Sequence, residues 1–193
     1  MCAYAGEAAE GEAVIKLLSD FGPPLLVLNL PMPYPVLQSL FDGLLPHGLH
    51  HYWKADFMGE MTDAAIAEHV RFGPGIPTVH SAQHIYPLDG AVHDVGKDET
   101  AFACRDVKYV HIIAAVTPDP ASLPAYREWL RDYWAALHPH SVGGSYVNFL
   151  MDEGEERVAG SYTGNLQRLA AIKTKYDPDN LFRANQNIKP RAT

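Results

Sequence analysis

The chain has 193 residues, of which 47% are hydrophobic and 20% charged, a composition typical of one compact globular domain. Its formal net charge of −8, without a long run of like charges, excludes a polyanion partner such as nucleic acid. Two widely separated cysteines exclude a disulfide framework. The sequence shows neither a signal peptide nor an apolar stretch of about 18 residues, so we expect a cytoplasmic protein without membrane contact.

The first part of the chain alternates short helical and short extended patterns. Apolar residues at three- and four-residue spacing indicate helices, of which one opens at Pro33 and another is capped by Thr62. A hairpin turn is expected at Asp89-Gly90. The predicted helices cover residues 12–20, a short segment after Pro33, and 63–72, and the predicted strands cover 25–30, 48–57, 78–87 and 91–95.

The second part contains the strongest helix pattern, which starts at Ser122 and carries a continuous apolar stripe. Strands are predicted over 107–116 and 146–150, and a helix over 161–176 ends at Asp177-Pro178. This order of elements predicts an α+β fold: a mainly antiparallel sheet backed by helices, with a C-terminal helix and an extended tail.

Ten histidines raise the question of a metal site, which we do not expect. His50 and His51 lie on opposite faces of a predicted strand, and no helix carries the paired histidines of a zinc enzyme. On the strand over 107–116, His111 and Ile113 share one face. His111 is either an acid–base or hydrogen-bonding group for a substrate or an imidazole at the edge of the core, and Tyr52 and Lys54 have the same two interpretations.

The polar tail Asn185-Gln186-Asn187 follows a helix that has already ended. Its amides could hydrogen-bond a ring that bears carbonyl and N–H groups, because each amide both donates and accepts, or they could form an Asx-rich turn.

The C-terminal region carries a long, ordered set of motifs. They are Tyr146-Val147-Asn148-Phe149, Asp152-Glu153-Gly154, Arg168-Leu169 with Lys173, Tyr176-Asp177-Pro178-Asp179-Asn180-Leu181-Phe182-Arg183, and Asn185-Gln186-Asn187-Ile188-Lys189-Pro190. This set resembles the C-terminal signature of the berberine-bridge family of FAD-linked oxidases and dehydrogenases. Segments such as Tyr52-Trp53-Lys54 and Asp89-Gly90-Ala91-Val92 resemble the substrate domain of that family more loosely, so the resemblance extends over nearly the whole chain.

The resemblance implies a substrate domain over residues 1–140 and a berberine-bridge-type C-terminal segment over 141–193, together one compact unit. It also implies FAD as cofactor, a small alcohol, sugar or secondary metabolite as substrate, and hydride transfer to the flavin while a base removes a proton. Nothing in the sequence resembles the flavin-binding domain of the family, so a separate or missing flavin domain or subunit is the expected partner.

Carried over by position, the resemblance places Asn148, Asn185 and Asn187 at the cofactor. Tyr146 and His111 become the candidate catalytic residues. The substrate contacts it implies are Tyr52, Lys54, Ile113 and Phe149. Many members of the family have a Tyr or His where this chain has Phe149, and a phenyl ring cannot accept a proton.

Two hypotheses follow. The chain is the substrate-side half of an FAD-dependent oxidoreductase, or it is a catalytically silent remnant that binds a small molecule or a protein. The first hypothesis predicts that the sheet face with Tyr52, Lys54 and His111 is open and carries a mixed apolar patch.

Overall fold

The computed structural model describes residues 3–22 and 29–191, and the chain divides into two compact units, residues 1–43 and residues 44–193. In the first unit, helices α1 (Ala8–Ser19) and α2 (Tyr34–Ser39) form where the apolar spacing predicts them. The strand predicted over 25–30 lies largely outside the described residues. The second unit contains the predicted C-terminal segment 141–193 together with the sheet.

The second unit is built on a three-stranded antiparallel sheet. Its strands are β1 (His50–Met58), β2 (Ala82–Pro87) and β3 (Tyr109–Thr117), in the spatial order β1-β3-β2. The central strand β3 is almost entirely buried, which agrees with its near-continuous run of valine, isoleucine and alanine. The α+β fold predicted from the sequence is confirmed.

Helices α3 (Asp63–Phe72) and α5 (Leu123–Leu137) lie on one face of this sheet. The Thr62 hydroxyl accepts a hydrogen bond from the Ala65 backbone N–H at 3.2 Å, so this residue caps α3 as predicted. The core between sheet and helices contains Met58, Ala65, Ile113, Ala115, Leu130, Tyr133 and Leu137.

Two predicted strands are wrong. Residues 91–95 contain a short helix, α4 (Ala91–Asp94), and Gly90 has a φ of 59° before it. No hairpin forms there because β2 pairs with β3: the Leu88 backbone N–H, just after β2, donates to the Lys108 carbonyl at 2.8 Å. Residues 147–149 form a 3₁₀ turn in place of the strand predicted over 146–150.

The helix predicted over 161–176 corresponds to α7 (Leu166–Tyr176), which begins later than predicted, and a separate helix that was not predicted, α6 (Glu155–Tyr162), precedes it. They are separated at Thr163, whose φ of 46° is incompatible with a continuing helix. Asp177 ends α7 as expected, and its carboxylate then accepts hydrogen bonds from the backbone N–H groups of Leu181 at 2.7 Å and Phe182 at 3.0 Å. The side chains of Leu181 and Phe182 are 76% and 78% exposed.

The described residues contain no helix that is both long and apolar enough to cross a membrane.

Candidate functional site on the sheet face opposite the helices

The predicted substrate residues of the strands lie on the sheet face that the helices cover. Tyr52 of β1 packs against the core beneath α5, and His111 and Ile113 of β3 have no exposed surface. The expectation that the face with Tyr52, Lys54 and His111 is open is therefore wrong. Side chains of a strand alternate between faces, and the apolar stripe of α5 packs against the face that carries these residues. This covered position gives no support to their predicted substrate contacts.

A network of charged side chains lies on the edge of this covered face. Asp56 of β1 is fully buried and pairs with the Arg157 guanidinium at 2.8 Å and with the His138 Nδ1 atom at 2.7 Å. Burial raises the pKa of Asp56, although its two partners oppose that shift. Lys54 pairs with Glu153, and its ammonium lies 4.1 Å from the Trp134 ring centroid. These contacts give Lys54 a structural role, because its charge is already neutralised within the protein.

His111 lies deeper on the same face. Neither of its ring nitrogens has a hydrogen-bond partner among the described residues, and its ring centroid is 6.1 Å from that of His69. Burial, with smaller contributions from the nearby His69, His138 and Arg157, lowers the pKa of His111 to about 3. Since the imidazole is neutral at pH 7 and shielded by helices, its position gives no support to the predicted acid–base role.

The opposite face of the sheet presents a row of aromatic side chains. By register, His84 and Tyr86 of β2 stand beside Ile112 and Val110 of β3 on this face. The rings of His84 and Tyr86 are stacked, with centroids 5.7 Å apart and planes 6° apart. Tyr86 is 43% exposed, and His84 is exposed as well. The row therefore offers aromatic surface to a ligand.

The 3₁₀ turn over 147–149 extends this aromatic row and brings three predicted site residues together. The Phe149 ring centroid lies 6.0 Å from that of Tyr86 and 5.2 Å from that of Tyr146. The Asn148 Nδ2 atom donates a hydrogen bond to the Tyr146 hydroxyl oxygen at 2.7 Å. Because the phenol oxygen is the acceptor, the phenolic hydrogen of Tyr146 is free to donate to a ligand.

The C-terminal tail is fixed next to the same turn. The Gln186 side-chain amide donates to the carbonyls of Leu150 at 2.8 Å and Met151 at 3.0 Å. This anchor holds the flanking Asn185 and Asn187 just beyond the turn, with Asn185 in the left-handed region at a φ of 56°. The two asparagines line a cleft of about 450 Å³ between the tail, α6 and α7.

His84 and Tyr86 received no functional role from the sequence. The pattern that could have identified them is their spacing within the strand predicted over 78–87. Residues two apart in a strand share a face, so this spacing places both rings on the same side of the sheet. Without the register of β2 against β3, the sequence did not show which face the helices cover.

Comparison with known proteins agrees with this architecture. The family model described as "Berberine and berberine like" matches residues 145–189. An FAD-linked oxidoreductase of Dictyostelium discoideum is 32% identical over 192 residues, and tetrahydroberberine oxidase of Berberis wilsoniae is 26% identical over 163. Residues 145–189 are a berberine-bridge-like segment, and the homologues of this chain are FAD-linked oxidoreductases, of which the chain covers a part.

The chain spans less than half the length of these relatives. The match to the Dictyostelium protein covers 98% of this chain and 42% of that protein, and the match to the Berberis protein covers 75% and 31%. Among solved structures, berberine bridge enzyme from Eschscholzia californica superposes with a TM-score of 0.78 at 18% identity, over 97% of this chain and 45% of that one. Aclacinomycin oxidoreductase superposes with a TM-score of 0.75 at 19% identity, over 97% and 43%. These two structures show the shared fold.

The homologues are FAD-linked, and the amides of Asn148, Asn185 and Asn187 are chemically compatible with a flavin ring. Asn148 and Asn185 are exposed and Asn187 is half-buried, so their amides are available to a ring with carbonyl and N–H groups. Cys104, the cysteine among the described residues, is a poor candidate for a covalent link to the cofactor, because burial raises the pKa of its thiol. In the described part of the chain, no cluster of three or more His, Cys, Asp or Glu side chains could hold a metal ion.

Proposed function

We propose that the chain supplies the substrate-side half of an FAD-dependent oxidoreductase that oxidises a small alcohol, sugar or secondary metabolite. A separate or additional flavin-binding domain or subunit supplies the cofactor. The observation that carries the proposal is the joint placement of Tyr146, Asn148 and Phe149 on one 3₁₀ turn, beside the anchored tail with Asn185 and Asn187. The FAD linkage of the homologues supports FAD as the cofactor.

In this proposal the protein binds and orients the substrate, and FAD, when bound, supplies the hydride acceptor. The aromatic row holds the substrate, and the Tyr146 hydroxyl hydrogen-bonds its reacting oxygen. Tyr146 is the candidate for moving the substrate proton, because Phe149 has no proton acceptor and His111 lies on the covered face. The amides of Asn148, Asn185 and Asn187 contact the cofactor.

Flavin retention tests this proposal. The purified chain is incubated with excess FAD, alone and together with the flavin-binding part of the Dictyostelium relative, and then passed over a sizing column that monitors flavin absorbance. We expect more flavin to co-migrate with the two polypeptides together than with either one alone. The variants Asn185→Ala and Asn187→Ala should reduce that excess, and Asn185→Gln, which keeps the amide, serves as the control.

The alternative function is a catalytically silent module that binds a small molecule or a protein. Phe149 in place of a proton acceptor favours it, and so does the covered position of Tyr52, Lys54 and His111, which the oxidoreductase hypothesis predicted to be open. If the chain adds nothing to flavin retention and the asparagine variants behave like the wild type, the oxidoreductase proposal is wrong and the module remains.

A further inference from the structure

Two arginines of α5 stand against one tyrosine ring of β1. The guanidinium carbons of Arg127 and Arg131 lie 4.6 Å and 5.6 Å from the centroid of the Tyr52 ring. We propose that these three side chains form a binding site for a phosphate group, carried either by inorganic phosphate or by a small phosphomonoester. The site goes beyond the proposed function, since it uses neither the turn over 147–149 nor the tail and needs no flavin.

Both guanidinium charges are available to a ligand. Arg127 and Arg131 are exposed, and no carboxylate oxygen of the described residues lies within 4.0 Å of either one. Glu128 and Asp132 follow them directly in sequence, but a helix turns by about 100° per residue, so these carboxylates lie on another side of α5. Like charges four residues apart on a helix repel one another. An anion bound between the two arginines would remove that repulsion.

Tyr52 orients the pair and adds a hydrogen-bond donor of its own. Its ring is half-buried and packs against the core, so it gives the two cations a fixed aromatic surface. The Arg131 Nε atom also donates a hydrogen bond to the Tyr52 hydroxyl oxygen at 3.3 Å. Because that oxygen is the acceptor, the phenolic hydrogen is free to donate to a ligand. The site therefore combines the terminal nitrogens of Arg131, the guanidinium of Arg127 and one hydroxyl.

These donors fit a phosphate better than a carboxylate. Each guanidinium presents its N–H groups as a planar fork that suits two oxygens of one anion. A phosphate monoester at pH 7 carries a charge of about −1.5 to −2 and three acceptor oxygens, enough for both arginines and the hydroxyl, whereas a carboxylate carries half that charge. The whole chain has a formal net charge of −8 and repels anions, so phosphate that stays bound requires a local site.

Titration of the purified chain with inorganic phosphate at pH 7 tests the inference. Sodium chloride is adjusted to keep the ionic strength constant, so that the general screening of charge does not change. Two-dimensional NMR of the arginine Nε–H groups follows the binding. We expect saturable shifts of the Arg127 and Arg131 signals with phosphate, and binding of acetate, which has a single charge, at least about fivefold weaker.

Methyl phosphate distinguishes the two sources of the phosphate group. Binding as tight as that of inorganic phosphate, or tighter, assigns the site to a phosphorylated small molecule. Weaker binding of the ester assigns the site to the free ion. Either result supports the site, since both ligands bring the same group to the two arginines.

Single substitutions assign the binding to this pair. Arg127→Gln and Arg131→Gln should each weaken phosphate binding about fivefold, and Tyr52→Phe, which keeps the ring but removes the hydroxyl, should weaken it about twofold. The control Arg183→Gln also removes one exposed positive charge and should leave phosphate binding unchanged. The inference is overturned if phosphate causes no saturable shifts, if acetate binds as tightly, or if the two α5 variants bind phosphate like the wild type. A loss with Arg183→Gln as large as theirs would also overturn it.

Discussion

His111 shows how a buried titratable side chain makes the stability of the fold depend on pH. Its pKa falls from the ordinary 6.5 to about 3, so the folded protein binds the imidazole proton less tightly than the unfolded chain does. The stabilising contribution is complete above pH 6.5 and is lost as the pH falls from 6.5 towards 3, by an amount on the order of 4 kcal/mol.

The variant His111→Leu should keep the free energy of unfolding at pH 7 close to that of the wild type, because the buried ring nitrogens have no hydrogen bond to lose. It should also lose less stability than the wild type between pH 6.5 and pH 4. Urea unfolding at the two pH values measures both effects. His47→Leu, at an exposed position, is the control and should leave the pH dependence unchanged. Equal pH dependence of His111→Leu and wild type would contradict this account.

Thr163 is a second residue whose conformation carries a cost. Its φ of 46° and ψ of −127° are strained for a β-branched side chain and accessible to glycine. Relief of strain outweighs the added entropy of the unfolded chain, so Thr163→Gly should stabilise the protein by about 1 kcal/mol. Differential scanning calorimetry should show a rise in Tm of about 3 °C. The control variant Thr163→Ala, which keeps a β-carbon, should show no such rise in Tm. A fall in Tm for Thr163→Gly would contradict the claim that the backbone at Thr163 is strained.

At the scale of elements, the tail depends on one side chain for its position. Gln186→Met removes both amide hydrogen bonds to the carbonyls of Leu150 and Met151 and should cost about 1–2 kcal/mol locally. We expect faster hydrogen exchange in residues 185–188, since Asn187 donates its backbone N–H only within the tail. Exchange followed by mass spectrometry measures this. Gln38→Met, an exposed change on α2, should leave tail exchange unaltered.

At the scale of the whole second unit, Arg157 joins three parts of the fold. Its guanidinium pairs with the buried Asp56 and donates to the Ala55 carbonyl at 2.8 Å, and Asp56 in turn pairs with His138 after α5. Arg157→Met leaves a buried carboxylate with one partner fewer and should cost about 3–5 kcal/mol in urea unfolding.

A matched surface pair gives the control for this loss. Arg71 pairs with Glu68 on the exposed side of α3, so Arg71→Met should cost less than about 1 kcal/mol. The double variant Asp56→Asn with Arg157→Met should recover part of the loss, because no unpaired charge is buried. A cost for Arg157→Met no larger than that for Arg71→Met would show that the buried network does not hold the unit together.

Local patterns predicted much of this fold. Helix α3 with its Thr62 cap, helix α5 and strands β1 and β3 form close to where apolar spacing and capping place them. Residues 91–95 were misassigned because strand propensity does not reveal that β2 pairs with β3. The break at Thr163 comes directly before Gly164-Asn165, a turn signal that the prediction of one helix over 161–176 overlooked.

The candidate site was predictable only in part. Motif resemblance found Tyr146, Asn148 and Phe149, which the structure places on one turn. The predicted substrate residues of β1 and β3 lie on the covered face and not on the open one. Strand alternation defines the two faces of a sheet, but it does not show which of them the helices cover. Polar Tyr52, Lys54 and His111 suggested an open face, but partners such as Glu153 lie far away in the sequence and make burial of charge possible.

The order of the loop after α7 affects the entropy cost of any association that covers this loop. The Asp177 carboxylate already fixes the backbone at Leu181 and Phe182, so covering these side chains would cost little further chain entropy. Removal of their apolar surface from water would appear as a negative change in heat capacity. The variant Asp177→Ala would retain the same two hydrophobic side chains, but its loop would have to become ordered on association. Calorimetry would therefore record a less favourable entropy of association for Asp177→Ala than for the wild type.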